Sequence, residues 1–157
     1  MKRAKRIVTA LALTVLIAAS ALAQRIVITP SGSRPTIHGP PQAYTGTAVA
    51  DTLVAPNDPS RVMAVTITFE PGARTAWHNH PAGQYLIVTS GVGWVQERGG
   101  KKREVHPGDV IWTPPGVFHW HGATATNAMS HLAIWDFVDG SGGELKEHVS
   151  DAEYLAD

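Results

Sequence analysis

The chain has 157 residues, a length that suits one domain, with 43% hydrophobic and 17% charged residues. That composition is typical of a globular protein and argues against a disordered chain. Thirteen basic residues balance 13 acidic ones, which disfavours a nucleic-acid-binding protein, and the absence of cysteine excludes disulfides, thiol nucleophiles and thiolate metal sites.

The first 23 residues predict a secretory signal peptide. Four basic residues come first, then an apolar run over residues 7–19, and then the small-x-small cleavage site Ala21-Leu22-Ala23. The run is shorter than the roughly 20 residues of a spanning helix, so we expect cleavage after Ala23 rather than a retained anchor. The protein is then exported, periplasmic or secreted, without membrane association. Its nine remaining basic residues face 13 acidic ones, a net charge of −4.

The remaining sequence divides into a tail and a β-rich domain. Residues 24–43 are rich in proline, glycine and serine and predict a flexible N-terminal segment, either a linker or an edge strand. Short β-type runs separated by turn residues follow, at 47–54, 62–69, 85–89, 93–97, 103–106, 110–113, 118–121 and 129–138. This spacing predicts an all-β domain over residues 44–157, an antiparallel sandwich or barrel. A capping-box pattern at residues 150–153 predicts one short helix.

Two His-x-His pairs are the main candidates for a metal site. In a strand, residues i and i+2 point to one face, so each pair presents two imidazoles side by side: His78 with His80, and His119 with His121. A turn at residues 81–83 lets the amide oxygen of Gln84 return to the same point, and an antiparallel return brings His131 alongside. Neutral imidazoles and an amide oxygen suit a divalent first-row metal.

Packing is the alternative explanation for these histidines. A lone histidine in a strand is usually packed or hydrogen-bonded, and that is our interpretation of His38, His106 and His148. Five imidazoles buried without partners would cost several kcal/mol in total. The paired pattern therefore favours a metal site over packing.

The spacing of these residues resembles the two sequence motifs of the cupin family. The pattern G-x5-H-x-H-x3-Q-x6-G over residues 72–91 resembles the first motif, with Gln84 where the usual ligand is Glu. The pattern G-x5-P-x-G-x2-H over residues 108–119 resembles the second, although Ala123 stands where Asn is usual. The resemblance implies a single-domain cupin, a jelly-roll-type antiparallel β-barrel, whose metal is held by His78, His80, Gln84 and His119.

A narrower resemblance covers residues from about 44 to 154. The segments at 69–94, 106–123 and 128–136 are similar to the single-domain cupins that act as manganese-dependent hydroxynitrile lyases, (R)-mandelonitrile lyase-like proteins that also carry Gln at the Glu position. Their extra histidines match His121 and His131. The resemblance implies Mn²⁺, with Fe²⁺, Zn²⁺, Ni²⁺ and Co²⁺ as alternatives, a small-molecule substrate, and these two histidines as catalytic residues.

The Gln for Glu replacement favours Lewis-acid chemistry. A ligand set of three histidines and one glutamine is neutral, so a divalent ion keeps its full charge and resists oxidation to the trivalent state. The first hypothesis is a lyase that converts mandelonitrile to benzaldehyde and HCN, with His131 or His121 as general base. Four apolar residues either surround the substrate or belong to the core, the latter being favoured: Val65, Ile67, Trp77 and Leu86.

Two other functions share the same ligands. One is a metal-dependent dioxygenase or isomerase acting on a small aromatic or keto compound, and the other is a non-catalytic cupin that binds metal or a small ligand. A binding protein has no need of the two extra histidines, which favours catalysis. The five tryptophans are expected to divide between the core and an oligomer surface, and we expect a homo-oligomer.

Overall fold

The computed structural model describes residues 25–57 and 59–156, which contain thirteen β-strands and one short helix. The predicted signal peptide lies outside these residues, so export stays a prediction. One sheet has the order β1-β3-β4-β12-β7-β10. Its strands, numbered along the chain, are β1 (Ile37–His38), β3 (Ala48–Val54), β4 (Val62–Phe69), β7 (Gln84–Gly91), β10 (Val110–Thr113) and β12 (Met129–Asp136).

The second sheet has the order β13-β6-β11-β5-β2, and β8 joins β11 to β9. Its strands are β2 (Tyr44–Thr45), β5 (Arg74–Thr75), β6 (His78–Asn79), β8 (Gly93–Glu97), β9 (Arg103–Val105), β11 (His119–Ala123) and β13 (Glu144–Leu145). Neighbouring strands pair antiparallel throughout both sheets. The all-β architecture expected from the spacing of the β-type runs is confirmed.

The core lies where the two sheets meet. Along β4, Val65, Ile67 and Phe69 are buried and alternate with partly exposed residues, which is the pattern of a strand with one face inward. Met129 of β12 and Val95 of β8 complete a cluster drawn from both sheets. Burial of these side chains is the main force that holds the sheets together.

The strands that the sequence did not predict are all two residues long. β1, β2, β5 and β13 are too short to show an alternating pattern, and their pairing depends on neighbours far along the chain. The strand expected at the first His-x-His pair is present as β6 but ends at Asn79, before His80. β1 falls inside the segment predicted as flexible, where Ile37 pairs with Ala50 of β3. That part of the segment is therefore an edge strand, which was one of its two interpretations.

The helix α1 (Asp151–Leu155) begins at the predicted capping box. The Glu153 amide donates to the Ser150 hydroxyl at 3.2 Å, and the Ser150 amide donates to the Glu153 carboxylate at 2.9 Å. Tyr154 packs with Trp77, Trp120 and Val149 in a second hydrophobic cluster. In the described ranges, no helix is long and apolar enough to cross a membrane.

Arg74 of β5 forms hydrogen bonds with the C-terminal segment. The side chain is buried and donates from Nε and Nη2 to the Val149 carbonyl at 3.2 and 2.8 Å. It also donates to the Asp151 carboxylate at 2.6 Å and lies 4.4 Å from the centre of the Tyr154 ring. A buried guanidinium is tolerated because its donors are paired.

We predict that Arg74→Met lowers the free energy of unfolding by about 3 kcal/mol, because the Val149 carbonyl loses its charged donor inside the protein. Urea denaturation measures the change. The control is Arg103→Met on an exposed part of β9, for which we expect a change within about 0.5 kcal/mol. Equal effects of the two substitutions would contradict the role given to Arg74.

Candidate metal centre and active site

The two sheets bring all six candidate residues into one cluster. His78 pairs directly across from His119 where β6 meets β11, and their ring centres are 4.3 Å apart. Gln84 begins β7 in the opposite sheet, and its Oε1 lies 2.9 Å from His119 Nε2. Further ring contacts connect the remaining members to this pair: His80, His121 and His131.

A tight turn returns the chain from His80 to Gln84. The Gly83 amide donates to the His80 carbonyl at 3.2 Å, and Gly83 has φ +80°, a conformation that favours glycine. A Cβ at this position would lie 2.7 Å from the Thr113 carbonyl oxygen. The short spacing between the first histidine pair and Gln84 therefore depends on Gly83.

Three imidazoles are oriented by backbone carbonyls. In each, Nδ1 lies at hydrogen-bond distance from a carbonyl oxygen, which can only accept, so Nδ1 carries the proton and Nε2 keeps its lone pair. The pairs are His78 with Ala76 at 2.9 Å, His80 with Gly142 at 2.7 Å, and His119 with Val117 at 3.1 Å. This is the arrangement that fixes the tautomer of metal-binding histidines.

The lone pair of His119 Nε2 faces an oxygen instead of a donor. With Nδ1 protonated and the ring neutral, Nε2 and the Gln84 Oε1 are two acceptors 2.9 Å apart. A cation held by these two atoms would remove this repulsion. A rotated Gln84 amide would instead make the contact a hydrogen bond, with the same spacing.

Burial keeps the ligand imidazoles neutral. It lowers the pKa of His119 to about 4 and that of His80 below its ordinary value. The pKa of His78 lies well below 6.5, first through burial and then through the neighbouring imidazoles. One nitrogen from each of these residues lies within 4.8 Å of the others. The three histidines therefore form a group that can hold a divalent metal ion.

His121 and His131 form a second pair beside the first group. His121 Nδ1 and His131 Nε2 are 3.0 Å apart, whereas His121 Nε2 is buried without a hydrogen-bond partner. Burial lowers the pKa of His131 to about 4 and that of His121 well below 6.5, with His131 adding to the latter shift. Both imidazoles are therefore neutral near pH 7.

A cavity of about 330 Å³ opens onto this cluster. His121 lines it, but His131 is not among the lining residues and lies behind His121. Of the four apolar residues considered from the sequence, Ile67 lines the cavity, while Val65, Trp77 and Leu86 are buried elsewhere in the protein. The main apolar wall is formed by other side chains that the sequence patterns did not indicate: Tyr44, Trp135, Phe137 and Leu145.

Residues 138–145, here called the strap, connect the cavity wall to the candidate ligands. Gly142 supplies the carbonyl that holds His80, and Leu145 pairs with His78 where β13 meets β6. A Cβ on Gly143 would collide with the Asn79 carbonyl oxygen and lie 3.3 Å from His80 Nδ1. The strap thus forms one side of the cavity and also contacts two of the candidate ligands.

The other described histidines lie outside the cluster. His38 is exposed on β1 rather than packed, and His106 lies on the surface 3.2 Å from Glu104. His148 Nδ1 is 3.1 Å from the Thr45 hydroxyl. Of the tryptophans, Trp120 is fully buried in the core and Trp112 is 45% exposed, and an oligomer surface stays a prediction.

Comparison with known proteins agrees with this architecture. Residues 65–135 match the model of the Cupin domain. The protein named "(R)-mandelonitrile lyase" from Granulicella tundricola is 53% identical over 123 residues, covering 78% of this chain and 94% of that protein. The chain belongs to the cupin family. The resemblance stated from the two histidine motifs is therefore confirmed.

Solved structures place this cupin among proteins of the same fold. A cupin-like protein from Thermotoga maritima is 38% identical, covering 82% of this chain and 95% of its own, with a TM-score of 0.72. A predicted oxalate decarboxylase from Thermotoga maritima is 17% identical, covering 71% of this chain and all of its own, with a TM-score of 0.63. At that identity the second likeness shows the fold alone.

We predict that His119→Ala weakens binding of Mn²⁺ at least about 100-fold, because it removes a candidate ligand nitrogen and leaves Gln84 without its partner. Equilibrium dialysis followed by elemental analysis measures the bound ion. His106→Ala, on the surface, is the control and should bind as the unmodified cupin does. Full metal occupancy in His119→Ala would contradict the proposed ligand set.

We also predict that Gly143→Ala weakens metal affinity about 10- to 100-fold, because the methyl group displaces the strap from His80. The same dialysis measurement applies. Gly140→Ala in the same strap is the matched control, since Gly140 has φ +80° but open space around its Cβ. If both substitutions changed metal affinity equally, backbone strain rather than ligand orientation would explain the loss.

Proposed function

We propose that this cupin is a metal-dependent lyase that cleaves and forms cyanohydrins, with mandelonitrile giving benzaldehyde and HCN. The observation that carries the proposal is that His121, a neutral imidazole whose buried Nε2 has no hydrogen-bond partner, lines an apolar cavity beside three candidate metal ligands. The 53% identity to a protein named "(R)-mandelonitrile lyase" supports the same reaction.

His78, His80 and His119 would hold the ion through Nε2, and Gln84 through Oε1. We propose Mn²⁺, which the nitrogen and oxygen donor set suits. When bound, a divalent ion supplies Lewis-acid chemistry, lowering the pKa of a hydroxyl group and polarising a carbonyl oxygen. The ligands are neutral, so none of them diminishes that charge.

His121 is the residue placed to move the proton. In the cleavage direction, its Nε2 accepts the proton of the cyanohydrin hydroxyl. The oxygen electron pair forms the C=O bond, the C–CN bond breaks, and the departing cyanide takes the bond's electron pair. The protonated imidazole then gives its proton to cyanide, so the products are aldehyde and HCN, and His121 is neutral again.

His131 acts through His121. When Nε2 of His121 accepts a proton, its Nδ1–H donates to His131 Nε2, which lies at 3.0 Å. That hydrogen bond stabilises the imidazolium and fixes the ring. The sequence alone does not decide which of the two histidines is the general base. The cavity favours His121, because His131 does not line it.

The apolar wall accounts for an aromatic substrate. Tyr44, Trp135 and Phe137 present rings to the cavity, and Ile67 and Leu145 add aliphatic surface. A phenyl group placed there buries apolar area that contributes about 25 cal/mol for each Å² removed from water. The small polar end of the substrate is then directed towards the histidines.

We predict that His121→Ala lowers kcat for mandelonitrile cleavage about 10²- to 10⁴-fold, because it removes the general base. His131→Ala has a smaller effect, about 10-fold, because it removes only the partner of that base. Benzaldehyde formation by the Mn²⁺-loaded protein is followed by absorbance, and elemental analysis checks that each variant keeps its metal. His106→Ala is the matched control and should keep full activity.

Full activity in His121→Ala would remove this residue from the mechanism. If the unmodified protein, loaded with Mn²⁺, cleaved no cyanohydrin, the lyase proposal itself would be wrong. Oxygen uptake by the Fe²⁺-loaded protein with an aromatic or keto substrate would instead favour the dioxygenase.

A further inference from the structure

Among the described residues that line the cavity, Glu144 is the one carboxylate. Lysine and arginine are absent from this lining. Glu144 lies in β13, where its backbone amide donates to Asn79 Oδ1 at 3.2 Å. Glu144 therefore belongs to the side of the cavity that the strap forms.

This charge distribution is unsuited to an anionic substrate. Proteins that bind carboxylates usually provide the paired donors of an arginine or the ammonium of a lysine. Here a carboxylate entering the cavity would meet neutral or hydrogen-bonded groups and the negative charge of Glu144. A divalent ion held by four neutral ligands would by itself attract anions, so a negative group in the cavity lining opposes that attraction.

Lys146 moderates the effect of Glu144. Its Nζ lies 2.5 Å from the Glu144 carboxylate and 5.6 Å from the centre of the Phe118 ring. Lys146 itself does not line the cavity. Because both side chains of this ion pair are about half exposed, the pair is weak, and Lys146 offsets the charge of Glu144 only in part.

We infer that the cavity accepts uncharged aromatic substrates and that Glu144 is the residue that disfavours aromatic carboxylates. The inference rests on the proposed function, since it concerns the substrate of the same site. It narrows that substrate to neutral molecules such as aromatic cyanohydrins and aldehydes. It also implies that keto acids and dicarboxylates are disfavoured as substrates.

Two substitutions test the inference, one that removes a negative charge and one that removes a positive charge. Isothermal titration calorimetry on the Mn²⁺-loaded protein compares benzoate with benzyl alcohol, which have the same ring and differ in charge. Glu144→Gln removes the repelling charge and frees Lys146, so we expect benzoate to bind about 2- to 5-fold more tightly. Lys146→Gln leaves Glu144 unpaired, so benzoate should bind about 2- to 5-fold more weakly.

Benzyl alcohol serves as the internal control and should bind all three proteins equally. Raising NaCl to about 0.5 M should reduce the differences for benzoate, since they arise from screened charges. The inference is overturned if Glu144→Gln leaves benzoate binding unchanged or undetectable, or if Lys146→Gln tightens it. Equal changes for benzoate and benzyl alcohol would also overturn it, because they would indicate an altered cavity shape.

Calorimetry reads binding without turnover, so it separates this inference from the proposed function. If the two substitutions change the affinity for benzoate as expected but mandelonitrile is not cleaved, the inferred substrate class is supported and the proposed lyase reaction is wrong. If mandelonitrile is cleaved but neither substitution changes the affinity for benzoate, the proposed reaction is supported and the role inferred for Glu144 is wrong.

Discussion

The lone pairs of buried acceptor atoms converge between the two sheets of this cupin, and the rest of the site depends on that arrangement. His119 Nε2 and Gln84 Oε1 are 2.9 Å apart, and two more imidazoles lie beside them. Away from water, acceptors placed this close repel one another unless a positive charge or a proton lies between them. The four neutral ligands we propose leave that charge unreduced, which is what Lewis-acid chemistry requires.

The strap, residues 138–145, contacts the first histidine pair and also lines the cavity. It lies far along the chain from the first histidine pair, yet it supplies the carbonyl that orients His80 and the strand that pairs with His78. It also contributes Glu144 to the cavity lining. Orientation of the ligands, shape of the cavity and charge in its lining are therefore properties of one short segment.

Local patterns made part of the site predictable. The pair of His119 and His121 follows from the period of two in β11, whereas β6 ends before His80; the return to Gln84 follows from a turn of three residues that ends in Gly83. The longer strands were likewise visible as alternating runs. The contact between His80 and Gly142 was not, because the two residues are 62 positions apart and a carbonyl group has no sequence signature. The placement of His121 in front of His131 also needed the three-dimensional structure.

The central claim is that three imidazoles and an amide oxygen hold one divalent ion. An anomalous difference map from crystals of the Mn²⁺-loaded protein, collected at the manganese absorption edge, tests it most directly. We expect one peak bonded to Nε2 of His78, His80 and His119 and to Oε1 of Gln84. A cluster without a peak, in which the Gln84 amide nitrogen donates to His119, would contradict it, as would an ion held by other residues.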